Sequence, residues 1–94
     1  MPEGDQEVRQ EIDVKTAVVI AMDYFAELFG GPYADLSLEE VERKGDSWYL
    51  TLGYTPGRKV GDNVVIPANA TRQYKQIIVN VSSGEVESMK VKRM

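Results

Sequence analysis

The most closely grouped carboxylates are Glu39, Glu40 and Glu42, in the run LSLEEVERK. Two carboxyl groups in unlike environments can divide the work of general acid and general base. Their oxygens would also suit a hard divalent cation if further oxygen ligands came from elsewhere. On a strand, Glu40 and Glu42 share one side and Glu39 takes the other. The simpler expectation is therefore a solvated strand face opposite Lys and Arg of a neighbouring strand. The rest of the chain offers catalysis little support. Its 94 residues include no histidine and no cysteine, which removes the commonest general base, the commonest metal ligand and thiolate chemistry. A hydrolase would have to run on carboxylates, hydroxyls and lysines, without a nucleophile elbow. The expectation is a protein that is not an enzyme, with no cofactor and no metal.

The basic residues invite a different reading. Arg58 and Lys59 sit in GYTPGRKVG, flanked by Gly57 and Gly61. The order G-x-x-x-x-G-K-[ST] is missing and no helix follows, so a hairpin tip with two solvated cations is expected rather than a phosphate loop. Arg72, Lys75, Lys90, Lys92 and Arg93 fall late in the chain, among the tyrosines Tyr49, Tyr54 and Tyr74. Aromatics on a basic sheet can stack single-stranded bases. A net charge of −4 opposes attraction to phosphate, and no nucleic acid is expected as a partner. The charge is unevenly spread: residues 1–46 hold 12 acids and 4 bases, residues 47–94 hold 3 acids and 7 bases. Pairing of acidic with basic strands in one sheet accounts for that asymmetry.

These groups must be placed by a small set of elements. At 94 residues the chain is one domain, with residues 1–11 read as a flexible polar arm and 12–94 as the folded unit. Val14, Ala17, Val18, Ala21, Phe25, Leu28 and Phe29 recur at three- and four-residue steps, the spacing of one buried helix face. Asp13 is suited to cap that helix and Gly30-Gly31-Pro32 to end it. Leu36 and Leu38 then alternate, and the pattern slips phase before Val41, which predicts a β-bulge. Past a Lys-Gly-Asp-Ser turn, Trp48, Leu50, Leu52 and Tyr54 share a face and Tyr49 and Thr51 take the other. Trp48 is expected as a core anchor between helix and sheet, with Met22 and Met89 filling gaps. Residues 55–71, TPGRKVGDNVVIPANAT, are long for a connection in so small a domain, and the run Val64-Val65-Ile66 is read as extending a flanking strand. Strands over 72–81 and 86–92 close the chain around Ser82-Ser83-Gly84. Ile77, Val79 and Val81 are expected to face the core, with Tyr74, Ile78 and Asn80 on the other face. The fold class is α+β: one N-terminal helix on a four-stranded antiparallel sheet, α-β-β-β-β.

The closing VNVSSGEVESMKV, the helix opening IDVKTAVVIAMDYF and the central EVERKGDSWYLTL together resemble PepSY-type domains over roughly residues 12 to 92. The resemblance implies a cystatin-like topology, a non-enzymatic role and regulation of a peptidase. Two departures stand out: Asn80 occupies a position where Asp is typical, and the 55–71 segment is long. The Gln-x-Val-x-Gly signature of inhibitory cystatins is absent, so protease inhibition is not implied.

The expected function is a small binding or regulatory domain that contacts a protein partner, or a second copy of itself as a homodimer. Contact is expected through the open sheet face or the 55–71 hairpin, by way of Tyr49, Tyr54, Arg58, Lys59, Tyr74 and Ile78. The alternative is a module for a small ligand or anion on the same surfaces. No run approaches the roughly 20 apolar residues of a membrane span, so no membrane insertion is expected. The location expected is cytoplasmic.

Overall fold

The computed structural model describes residues 11–93. The expected polar arm lies outside the described residues except for Glu11, whose carboxylate meets Arg43 Nη1 at 3.0 Å. Helix α1 spans Val14–Leu28. It begins where the sequence places a cap: Asp13 is extended, and its Oδ1 accepts from the Thr16 N–H at 2.9 Å. That backbone bond, then the Thr16 hydroxyl and the nearby Lys15, holds the Asp13 carboxyl below its ordinary value. At the other end the Phe29 N–H donates to the Phe25 carbonyl, and Gly30 turns the chain away at φ 77°.

Six strands follow: β1 (Tyr33–Lys44), β2 (Ser47–Pro56), β3 (Arg58–Val60), β4 (Asn63–Val65), β5 (Gln73–Asn80) and β6 (Val86–Val91). The sheet is antiparallel throughout, in the order β1-β2-β5-β6, with the helix packed on one face. This is the α-β-β-β-β arrangement that the pattern predicts. Strands β3 and β4 form a separate ribbon. Thr55 and Pro56 complete β2, but the run Val64-Val65-Ile66 does not lengthen the strands beside it. Gly61, at φ 62°, heads a two-residue turn with Asp62 and folds Val64 and Val65 back on Lys59 and Arg58. Gly57 keeps the base of the ribbon tight, since a Cβ there would lie 2.7 Å from Ile66 Cδ1 and 2.9 Å from the Val65 carbonyl.

The core is Ala17, Ala21 and Phe25 of α1 against Leu50, Leu52 and Tyr54 of β2 and Ile77 and Val79 of β5. Alanine at 17 and 21 brings the helix close to the sheet, and four rings seal its C-terminal end. Phe25 lies 4.9 Å from Phe29, 5.0 Å from Tyr33 and 4.9 Å from Tyr54, centroid to centroid, within the favourable range for aromatic pairs. At the other end Trp48 Nε1 donates to the Ile12 carbonyl at 3.1 Å, and the Ile12 N–H donates to Val81 at 2.9 Å. The buried helix stripe is shorter than its spacing implies. Val14 is 37% and Leu28 55% exposed, while Phe29, one residue further, packs on Tyr33 and Tyr54. Ile20 and Met22 pack in from the flanks instead.

Candidate functional site

The face of the sheet turned away from α1 carries most of the polar chemistry. Register fixes its rows. Tyr49 of β2 lies opposite Glu42 and Ile78, Thr51 opposite Glu40 and Gln76, and Gly53 opposite Ser37 and Tyr74. On β6, Ser88 lies opposite Ile78 and Lys90 opposite Gln76. β1 is irregular at two places, between Ala34 and Ser37 and between Leu38 and Glu40. The second is the predicted bulge, and it changes where Glu39 points. Simple alternation sends Glu39 to the opposite side from Glu40. The extra residue brings it round to the open face instead, where its Oε2 lies 2.7 Å from the position a Gly53 Cβ would take.

Gly53 therefore leaves a hollow, and Arg72 and Glu39 meet over it. Arg72 Nη2 donates to Glu39 Oε2 at 3.0 Å and to the Ser37 hydroxyl, while Nη1 donates to the Asp35 carbonyl at 2.9 Å and to Thr55 Oγ1 at 3.4 Å. The Ser37 hydroxyl in turn donates to Glu39 Oε2 at 2.7 Å. That hydrogen bond first, and Arg72 second, hold the Glu39 carboxyl below its ordinary value. The guanidinium also steadies the first irregularity of β1, where Asp35 sits at φ 57°.

Lys92 makes the second crossing. Its Nζ reaches Glu40 Oε1 at 3.0 Å and Thr51 Oγ1 at 3.4 Å, so one side chain ties the end of β6 to β1. On either side of it lies a depression. One, of about 300 Å³, is lined by Glu40, Glu42, Tyr49, Thr51, Gln76 and Lys92. The other, of about 430 Å³, is lined by Arg72, Gln73, Tyr74, Val91, Lys92 and Arg93. Lys44 stands over the Tyr49 ring, 5.0 Å from its centroid, with its Nζ 3.6 Å from Glu42, a cation–π contact at an exposed site. The three grouped carboxylates are thus each matched to a cation: Glu39 to Arg72, Glu40 to Lys92 and Glu42 to Lys44.

The residues expected to make contacts divide into three groups. Tyr49, Tyr74 and Ile78 lie together on the open face, half-buried. Arg58 and Lys59 are exposed on β3, away from that face. Tyr54 is the correction: it is 1% exposed, on the helix side, with its ring 4.8 Å from Phe29 and its hydroxyl donating to Gln73 Oε1 at 3.2 Å. It shares the parity of Leu50 and Leu52 and belongs to the core, and burial pushes its phenol above the ordinary value. Sequence reasoning missed the clamp around Arg72 and the reach of Lys92. Both depend on a glycine opposite a bulge and on a contact across four strands, which leave no local pattern.

The turn between β5 and β6 has its own polar lock. Asn80 Oδ1 accepts from the Ser82 and Ser83 N–H groups, each at 2.9 Å, and its Nδ2 donates to Glu87 Oε2 at 3.0 Å. A carboxylate at 80 could form the turn but could not donate to Glu87, which gives the Asn at this position a physical reason.

No protein-family model matches the chain, and no curated protein or solved structure matches it. No helix among the described residues is long and apolar enough to cross a membrane.

Proposed function

We propose that this is a small, non-catalytic binding or regulatory domain that works by contact with a protein partner. The observation that carries the reading is the β3–β4 ribbon. It stands off the sheet with Val60, Val64, Val65 and Ile66 exposed by 55%, 49%, 40% and 37%. Register puts Val60 and Val65 on one face of the ribbon and Val64 and Ile66 on the other, so both faces of a projecting element carry exposed aliphatic side chains, a common mark of association. An isolated two-stranded ribbon is also marginal in water, so a partner that covers it stabilises it. Arg58 and Lys59 give the ribbon a cationic flank that favours an acidic surface. Tyr49, Tyr74 and Ile78 supply a second contact area on the open face. The likeness to PepSY-type domains favours a peptidase as the regulated partner.

A second reading has one observation in its favour. The larger depression gathers Arg72, Lys92 and Arg93 beside the Tyr74 ring, a composition suited to a small anion or carboxylate ligand.

The first reading is tested by replacing residues 56–68 with a two-residue turn. The shortened chain should melt within a few degrees of the intact one. Proteins enriched on the intact chain from its own cell extract should fall by about tenfold or more on the shortened one, read by quantitative mass spectrometry. Equal enrichment on both chains would remove the ribbon from the interface.

A further inference from the structure

The sheet edges are defended unequally. β1 presents Glu39, Glu40, Glu42, Arg43 and Lys44 along one outer edge and carries two register breaks. β6 presents Glu87, Lys90 and the following Lys92 and Arg93 along the other. Charges and bulges of this kind are what keep edge strands from pairing with further chains. β3 carries Arg58 and Lys59. β4 has none of these defences: from Asn63 to Thr71 there is no charged residue, and β4 pairs with β3 in unbroken register.

We propose that β4 is a self-association edge, pairing antiparallel with β4 of a second copy about a twofold axis at Val65. This rests on the protein-contact reading above and names its occupant. Register follows from the turn. Val60 and Asn63 close a two-residue hairpin, so they form a hydrogen-bonded pair. Alternation makes Lys59 and Val64 a non-hydrogen-bonded pair, whose N–H and C=O groups point outward. Val64 and Ile66 therefore offer their backbone groups at the free edge, while Val65 bonds inward to Arg58. Two copies satisfy those groups when Val64 of one lies opposite Ile66 of the other and Val65 meets Val65. Pro67 has no N–H to give, and at that parity its nitrogen faces away from the partner, so it costs the pairing nothing.

Charge selects a second copy over a foreign strand. Homotypic pairing places only Val, Ile, Asn and Pro across the axis. It leaves the two β3 strands about 14 Å apart, three strand spacings, beyond the screening length at physiological salt. The product is a four-stranded ribbon, β3-β4-β4-β3, with the cations on its outer strands. The contact is far smaller than the roughly 800 Å² per partner of a standard interface, so the dimer is a weak one, governed by concentration.

Sedimentation of the full chain from about 10 μM to about 1 mM should show mass rising from monomer toward dimer, the range in which an interface this small associates. Val65→Lys places two lysines directly opposite each other, with their Cβ atoms within about 5.5 Å across the axis, and like charges so placed repel. It should hold the protein monomeric at about 1 mM with an unchanged circular dichroism spectrum. Because the chain has no cysteine, Val65→Cys adds a single thiol at a directly opposed position. Under mild oxidation it should form disulfide dimers about tenfold faster than Lys59→Cys, whose thiols lie too far apart to bridge in the dimer. A wild-type chain that stays monomeric at about 1 mM, a Val65→Lys chain that still dimerises, or equal cross-linking at 59 and 65 would each overturn the pairing. If the wild type is monomeric and Val65→Lys loses the proteins that the ribbon enriches, the edge serves a foreign strand: this inference fails and the partner reading stands. If enrichment ignores the ribbon while dimers form, the partner reading fails and this one stands.

Discussion

The two faces of β2 hold the sheet together by opposite means. Leu50, Leu52 and Tyr54 face the helix and are buried against its aliphatic and aromatic side chains, with Gln73 meeting only the Tyr54 hydroxyl at the rim. Tyr49, Thr51 and Gly53 face the other way, under two cations that arrive from distant elements, Arg72 from the start of β5 and Lys92 from beyond β6. On the first face affinity for neighbours scales with apolar area and needs no direction. On the second it depends on donors meeting acceptors at particular distances. The first face makes the fold, and the second keeps the two edges of the sheet in register while leaving depressions that a partner or ligand can use.

The largest break in this contrast is Phe25→Ala. Phe25 is fully buried and touches three of the other aromatic rings. Its loss leaves a cavity that the alanine stripe above cannot fill, at a cost of about 3–5 kcal/mol. Denaturant unfolding should show that loss with both faces melting together, since the polar clamps have no sheet to act on without the core. A variant that loses less than about 1 kcal/mol would mean the ring cluster is not what holds the helix down.

Gly53→Ala attacks the other face. Its Cβ would come within 2.7 Å of Glu39 Oε2 and 3.0 Å of Arg72 Nη2. The clamp must open, and because the intruded atoms end flexible side chains, the cost is about 1–2 kcal/mol rather than collapse. The cause can be isolated: in a Glu39→Ala background the same substitution should cost less than about half as much. An undiminished cost would place the strain in the backbone of β2.

That difference also marks how far the sequence could be read. The helix was legible because its stripe is periodic, with Asp13 to start it and Gly30 to end it. β2 and β5 were legible because one of their faces is continuously apolar. The slip before Val41 even signalled the bulge. What did not follow was its consequence, since a pattern that says a register breaks does not say where the displaced side chain lands. Tyr54 differs from the expected contact residues because its parity with Leu50 and Leu52 assigns it to the core. The ribbon is not legible because Val64-Val65-Ile66 looks the same whether it extends an existing strand or pairs with a new one. The choice was made by Gly57 and the Gly61-Asp62 turn. The pairs Glu39–Arg72 and Glu40–Lys92, 33 and 52 residues apart, lie beyond any local spacing.

The smallest effects, and the most diagnostic, come from pH, because the two faces fail at opposite ends of the scale. On the open face the folded state lowers the Glu39 carboxyl below its ordinary 4.5, through Ser37 and then Arg72. A depressed carboxylate stabilises the fold fully above its unfolded pKa, and that contribution is lost as pH falls through the folded value. Glu87, lowered by Asn80 and then Ser47, behaves the same way. On the helix side, burial raises Tyr54 above its ordinary 10.0. A raised phenol contributes fully below its unfolded pKa and is lost as pH climbs through the folded one. Melting temperature should therefore sag below about pH 4.5 and again above about pH 10, with a plateau between. Glu39→Gln should flatten part of the acid limb and leave the alkaline one unchanged. Tyr54→Phe should flatten the alkaline limb and leave the acid one unchanged. Asp13 at the helix cap is lowered as well and keeps part of the acid limb, so the measure is the difference from wild type. A Glu39→Gln, Glu87→Gln double variant whose acid limb is as steep as that of the wild type would mean that these carboxylates are not what ties the open face to pH. The stability difference between the faces would then rest on packing alone.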